Sequence, residues 1–147
     1  MTSMTAKSVA LASDHAGFHL KSALREELER LGYEVLDLGA HDTESVDYPD
    51  FGRAVAEAVA SGRVDRGVIA CGTGLGISIA ANRTPEVRAV PCWNTTATRL
   101  ARQHNDANVL SLGARLVGSE VAKDCLQVFL ETAFEGGRHE RRVAKLG

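Results

Sequence analysis

Cysteine is scarce and unpaired in this chain: Cys71, Cys92 and Cys125 are its three cysteines and stand far apart. An odd number with no close pair excludes a disulfide framework and points to a reducing, cytoplasmic setting. The same spacing excludes a C-x-x-C redox pair and a cysteine zinc cluster. No apolar run approaches the roughly 18–20 residues that cross a bilayer. The first residues, MTSMTAKS, lack the apolar stretch of a secretory signal. Neither sign of charge dominates: the formal balance is -2, which gives no general footprint for nucleic acid or membrane. Internal repeats and low-complexity stretches are missing as well.

What is present is ordinary globular material. At 147 residues, with 44% hydrophobic and 24% charged positions, the chain fits one domain over residues 1–147. A flexible start is expected over residues 1–7 and a separate tail over residues 136–147. Short apolar runs alternate with amphipathic stretches. Val9 to Ser13 reads as a buried strand. From Gly17 to Leu31 the residues Phe18, Ala23, Leu24, Leu28 and Leu31 line one helical face, which Gly32 ends. Further strands are predicted over 33–38, 67–72, 87–92 and 108–113. Helices are predicted through Phe51, Val55 and Val59, over 75–81 and 95–103, and over 119–134. Five strands separated by helices imply an α/β three-layer sandwich, with a five-stranded parallel sheet of the Rossmann-like, doubly wound type.

In such sheets ligands sit at the carboxyl ends of the strands. The five ends carry Ser13-Asp14-His15, Asp37 with Gly39, Cys71-Gly72-Thr73-Gly74, Cys92-Trp93-Asn94 and Gly113 to Arg115, and reactive residue types cluster at three of them. In CGTGLGISIAAN, Gly72, Gly74 and Gly76 leave the backbone free to turn its N–H groups toward one point at a helix start. That is the setting that makes a thiolate of Cys71 available and stabilises an enediolate formed by proton abstraction beside a carbonyl. A tight turn around a structural cysteine is the plain alternative. The loop lacks the Gly-Lys-Ser/Thr of a P-loop and the G-x-G-x-x-G of a dinucleotide site. Asp14-His15 can exchange protons with a sugar, or Asp14 can simply cap the helix that follows. His15 and His19 have metal-ligand spacing but no third ligand, so no metal is expected. His104, before Asn105 and Asp106, reads as an ordinary loop histidine. Arg138 and Arg142 stand one helical turn apart and suit a phosphate dianion, or form a solvated basic tail.

Asp14-His15-Ala16-Gly17, Asp47-Tyr48-Pro49, CGTGLGISIAAN, RQHNDANVL with Gly113-Ala114-Arg115, and GGRHERR occur in the order that resembles type B ribose-5-phosphate isomerases. The wider group includes galactose-6-phosphate and allose-6-phosphate isomerases. The resemblance spans about Val9 to Val143. It implies a cofactor-free and metal-free aldose–ketose isomerase of the pentose phosphate pathway, with Cys71 as base and Thr73 beside it. It further implies Asp14 and His104 in ring opening, and His15, Arg115, Arg138 and Arg142 on the phosphate. Tyr48 and Asn105 would lie near the sugar, and Gly72, Gly74 and Gly76 would form the anion hole. Residues 136–147 would then be a phosphate-binding tail. Such enzymes are homodimers or tetramers whose sites draw on two subunits. One branch uses a Glu later in the loop, where this chain has Ile77, which places it with the cysteine branch.

The segment from Cys92 to Thr96 agrees less well, and Trp93, the single tryptophan, is expected to shorten the pocket toward four- or five-carbon phosphates. Three alternatives stay open. One is an isomerase of a tetrose or hexose phosphate, one a non-enzymatic nucleotide-binding module, and one a cysteine phosphatase. The last would need an arginine in the loop, which ends in Ile77 and Ser78.

Overall fold

The computed structural model describes residues 6–147, so most of the expected flexible start, residues 1–5, lies outside the described residues. The chain runs β1 (Ser8–Ser13), α1 (Phe18–Arg30), β2 (Glu34–Asp37), α2 (Tyr48–Ala60), β3 (Arg66–Cys71) and α3 (Leu75–Ala81). It continues through β4 (Ala89–Pro91), α4 (Thr95–Asn105), β5 (Val109–Gly113), α5 (Ser119–Glu131) and α6 (Arg138–Ala144). All strand pairs are parallel, in the order β2-β1-β3-β5-β4. The α/β sandwich read from the sequence is therefore the fold.

The central strands β3 and β5 are buried along their whole length, as strands covered on both faces must be. One face packs Leu20, Leu24 and Leu28 of α1 and Ala101 of α4 with Cys125, Leu126 and Phe129 of α5. The other packs Val55 and Ala56 of α2 against Ile77 and Ala81 of α3. Each fully buried Leu or Phe in these layers contributes about 1.5–3 kcal/mol of transfer free energy. Pro91, which has no N–H to offer, sits in the edge strand β4, where a ladder tolerates it.

From β1 the chain first adds β2 on one side and then crosses to β3 on the other. The sheet's switch point is therefore the crevice between the carboxyl ends of β1 and β3, which is where an open α/β sheet binds its ligand. In register, Ser13 lies beside Ala70, and Cys71 beside Gly113. The residues leaving those ends are Asp14-His15 and Gly72-Thr73-Gly74.

Most boundaries shift by one or two residues from the sequence reading, and two larger differences bear on the site. The long last helix ends at Glu131 and not at 134, because Thr132 turns to extended backbone and its carbonyl accepts from Arg102 Nε at 2.9 Å. Residues 138–144, expected as part of a tail, form a helix of their own after Gly136 and Gly137, both at positive φ.

Candidate active site

Cys71 is the last residue of β3, buried, and the turn after it folds back over its sulfur. The Gly74 N–H donates to Cys71 Sγ at 3.1 Å, and the Leu75 N–H donates to Thr73 Oγ1 at 3.2 Å. Gly74 holds φ +77, a left-handed conformation that glycine adopts without steric cost. The turn is also pinned from β5. The Ser111 hydroxyl donates to the Gly74 carbonyl at 2.6 Å, and Ala114 and Arg115 N–H groups donate to the Cys71 and Gly72 carbonyls. Gly113 lies so close under Thr73 that a Cβ there would stand 2.5 Å from the Thr73 carbonyl carbon. In the sequence Ser111 reads as part of an apolar run. Its signal was a hydroxyl at a strand position with no water to satisfy it.

Around this turn the fold gathers most of the expected site. Asp14 is buried, and its Oδ1 accepts the Gly17 N–H at 3.0 Å, so the capping role holds. Its second oxygen makes no hydrogen bond among the described residues. His15 Nδ1 accepts the Val46 N–H at 3.1 Å. The neutral ring therefore carries its proton on Nε2, which is left to donate to a ligand. The Tyr48 ring covers Gly76, where an added Cβ would meet it at 2.6 Å, and the Arg115 guanidinium lies over Gly72 at 3.4 Å from the same construction point. The Ser13 hydroxyl, at the end of β1, is buried and has no hydrogen-bond partner among the described residues.

Asp37, at the end of β2, belongs to the framework. Burial alone would raise its carboxyl, but Lys21, the Gly39 N–H and Arg25 together hold it below its ordinary value. Lys21 Nζ lies 2.8 Å from it, with both side chains nearly closed to solvent. Breaking such a pair costs about 3–5 kcal/mol, because one charge is left buried alone.

The remaining expected residues are elsewhere in the chain. α4 starts at the carboxyl edge of the sheet and runs back for 11 residues, which carries His104 and Asn105 roughly 16 Å toward the opposite edge. His104 is thus in the last turn of a helix and not in a loop. The Glu135 N–H donates to the Gln103 carbonyl at 3.0 Å, which brings α6, with Arg138 and Arg142, to the same edge. There the rings of His104 and His139 stack at 4.5 Å between centroids and 13° between planes. Burial, then His104 and Arg138, hold the His139 ring below its ordinary pKa. Glu135 Oε1 lies 3.6 Å from His139 Nε2 and 4.0 Å from His104 Nε2. The three ligand atoms fall within 4.8 Å of one another, the composition of a metal site. Nearly parallel rings, however, hold their lone pairs in separate, nearly parallel planes and cannot both aim at one ion.

The chain matches the family model described as Ribose/Galactose Isomerase over residues 9–146. Ribose-5-phosphate isomerase B of Escherichia coli is 48% identical over 137 residues, covering 93% of this chain and 92% of that one. D-erythrulose-4-phosphate isomerase of Pectobacterium atrosepticum is 38% identical over 141 residues, covering 95% and 93%. Among solved structures, ribose-5-phosphate isomerase B of Clostridium thermocellum superposes with a TM-score of 0.94 at 54% identity, over 95% of each chain.

Proposed function

The chain belongs to the ribose/galactose isomerase family and is an aldose–ketose isomerase of a phosphorylated sugar, and we propose that it interconverts ribose 5-phosphate and ribulose 5-phosphate with Cys71 as the base. The observation that carries this reading is the position of Cys71 at the switch point, under a glycine-rich turn whose Gly74 N–H reaches its sulfur at 3.1 Å. Proton transfer proceeds in two balanced halves. The Cys71 thiolate takes the proton from C2 of the open-chain aldose, and the electron pair moves onto O1 to give the cis-enediolate. The O2 proton passes to O1, and the thiol returns its proton to C1 as the ketone forms at C2, which leaves the thiolate as it began. The N–H groups of the turn that Cys71 Sγ and Thr73 Oγ1 do not engage, with the Thr73 hydroxyl, steady the negative oxygen, the kind of contribution that removes a large part of such a barrier.

Ring opening comes first for a furanose. One group takes the proton of the anomeric hydroxyl and another gives a proton to the ring oxygen. Asp14, with its other oxygen, fills the first part and His104 the second. His15 Nε2–H and Arg115 offer phosphate contacts beside the turn, and Arg138 and Arg142 supply the stronger pair. Because His104, Asn105, Arg138 and Arg142 stand at the opposite edge of their own sheet, they reach Cys71 only from a second copy of the chain. A homodimer or a dimer of dimers with shared sites follows. Exposed Leu75 and Ile79 of α3, Trp93 after β4 and Leu100 of α4 border the β4 edge and offer an apolar face for that contact.

A second reading, a four-carbon substrate, has support in the erythrulose-4-phosphate isomerase relative and in Trp93 at the end of β4. Turnover of ribose 5-phosphate, erythrulose 4-phosphate, allose 6-phosphate and galactose 6-phosphate separates these substrates. The expected order puts ribose 5-phosphate first and the hexose phosphates last. A clear hexose preference would refute the role given to Trp93. No turnover of any of them by a folded oligomer would return the chain to a binding role, with nucleotides as the next ligands to try.

A further inference from the structure

Resting on the reading of His104 as a ring-opening group, we propose that His139, backed by Glu135, is the positioning residue that fixes the His104 imidazole. His139 is the one buried residue of α6, 8% exposed, on a helix whose Arg138, Glu140, Arg141 and Arg142 all face solvent. One broad face of the buried ring lies against the His104 ring. His104 itself is half-buried in the last turn of α4, where an imidazole with no neighbour would sample several rotamers. A parallel stack removes that freedom without using either ring nitrogen, so His104 Nε2 stays available to a substrate oxygen.

The support under the stack is built from both sides. Arg102, almost fully buried, donates to the Thr132 carbonyl and to Asp106, which ties the chain after α5 to the end of α4. The Glu135 N–H continues that tie onto Gln103. Its carboxylate then stands against the Nε2 edge of both rings. Arg138 and Arg142 flank His139 and, together with its burial, disfavour its charged form. A neutral ring is the right surface for a neighbour that must carry a proton during ring opening, because a second positive charge would push it away. The same short helix thus carries the phosphate arginines and the residue that orients the ring-opening histidine.

Substrate chemistry offers a selective test. Ribose 5-phosphate is mostly a closed furanose, whereas erythrulose 4-phosphate has its O4 esterified and forms no ring. His139→Ala should lower kcat on ribose 5-phosphate about tenfold, a part of the roughly 10²–10⁴-fold that a well-placed acid–base group supplies. KM should stay within about twofold, and turnover of erythrulose 4-phosphate should not change. His139→Phe, which keeps a flat ring against His104, should recover most of the loss. Glu135→Gln, at an exposed position that does not endanger folding, should show the same pattern at about threefold. Independently of turnover, the His104 Cε1–H resonance should lose its ring-current shift in His139→Ala and keep it in His139→Phe. Equal losses on both sugars, a rise in KM alone, no difference between Ala and Phe, or an unchanged His104 resonance would each overturn the proposal. If His104→Ala itself leaves ribose 5-phosphate turnover intact, the ring-opening reading has failed and the proposal falls with it.

Discussion

Burial pushes the Cys92 and Cys125 thiols up, with only a partial offset from a hydrogen bond to Thr98. Their thiolates appear only as the pH climbs past the usual cysteine range, so both are poor nucleophiles near neutrality. Cys71 is set apart by its place at a turn that opens onto the ligand crevice. Iodoacetamide near pH 7.5 should therefore carboxamidomethylate Cys71 first, with loss of isomerase activity and protection by the sugar phosphate. Peptide mass mapping that finds Cys92 or Cys125 labelled ahead of Cys71 would contradict this. Cys71 and its glycines were legible in the sequence because a reactive residue type and its turn are local. Ser111 and His139 were not, since what matters about each is a partner far along the chain: Gly74 for one, His104 for the other.

The elements around the site were read closely where periodicity and caps agree. α3 occupies the predicted residues 75–81, and Gly32 closes α1 at φ +90. The end of α5 was misread because the apolar pattern continues through Ala133 and Phe134 while a buried arginine from another helix captures Thr132. No local signal announces such a tertiary override. The catalytic turn itself depends on an element it does not belong to. A methyl at Gly113, at the end of β5, would press on the Thr73 backbone, which cannot yield without moving the whole turn. Gly113→Ala should lower kcat at least tenfold in a protein that still folds, whereas Gly118→Ala, where a Cβ meets open space, should leave it unchanged. Steady-state kinetics with circular dichroism on both variants checks this, and an active Gly113→Ala enzyme would show that the turn tolerates displacement.

At the scale of the whole molecule, the proposed reading gives one chain two half-sites on opposite edges of its sheet. The sequence named their residues through family resemblance, but nothing local in it tells which edge each would occupy. That follows only from the direction of α4 and from the ties at Arg102 and Glu135. Shared sites make a sharp prediction for mixtures. Cys71→Ala and His104→Ala proteins, each inactive on ribose 5-phosphate, should regain about a quarter of wild-type activity when unfolded and refolded together in equal amounts. Half of randomly paired dimers are then hybrids, and each hybrid has one intact site of two. No recovery from a mixture shown to contain hybrids would place each site within one chain. The central claim, that Cys71 moves the proton through an enediolate, is tested most directly by isomerising ribulose 5-phosphate in D2O and following C2 of the ribose 5-phosphate by NMR. The account predicts solvent deuterium at C2, appearing at least about 100-fold more slowly with Cys71→Ala. Product formed and labelled as fast by the variant as by the wild type would contradict it.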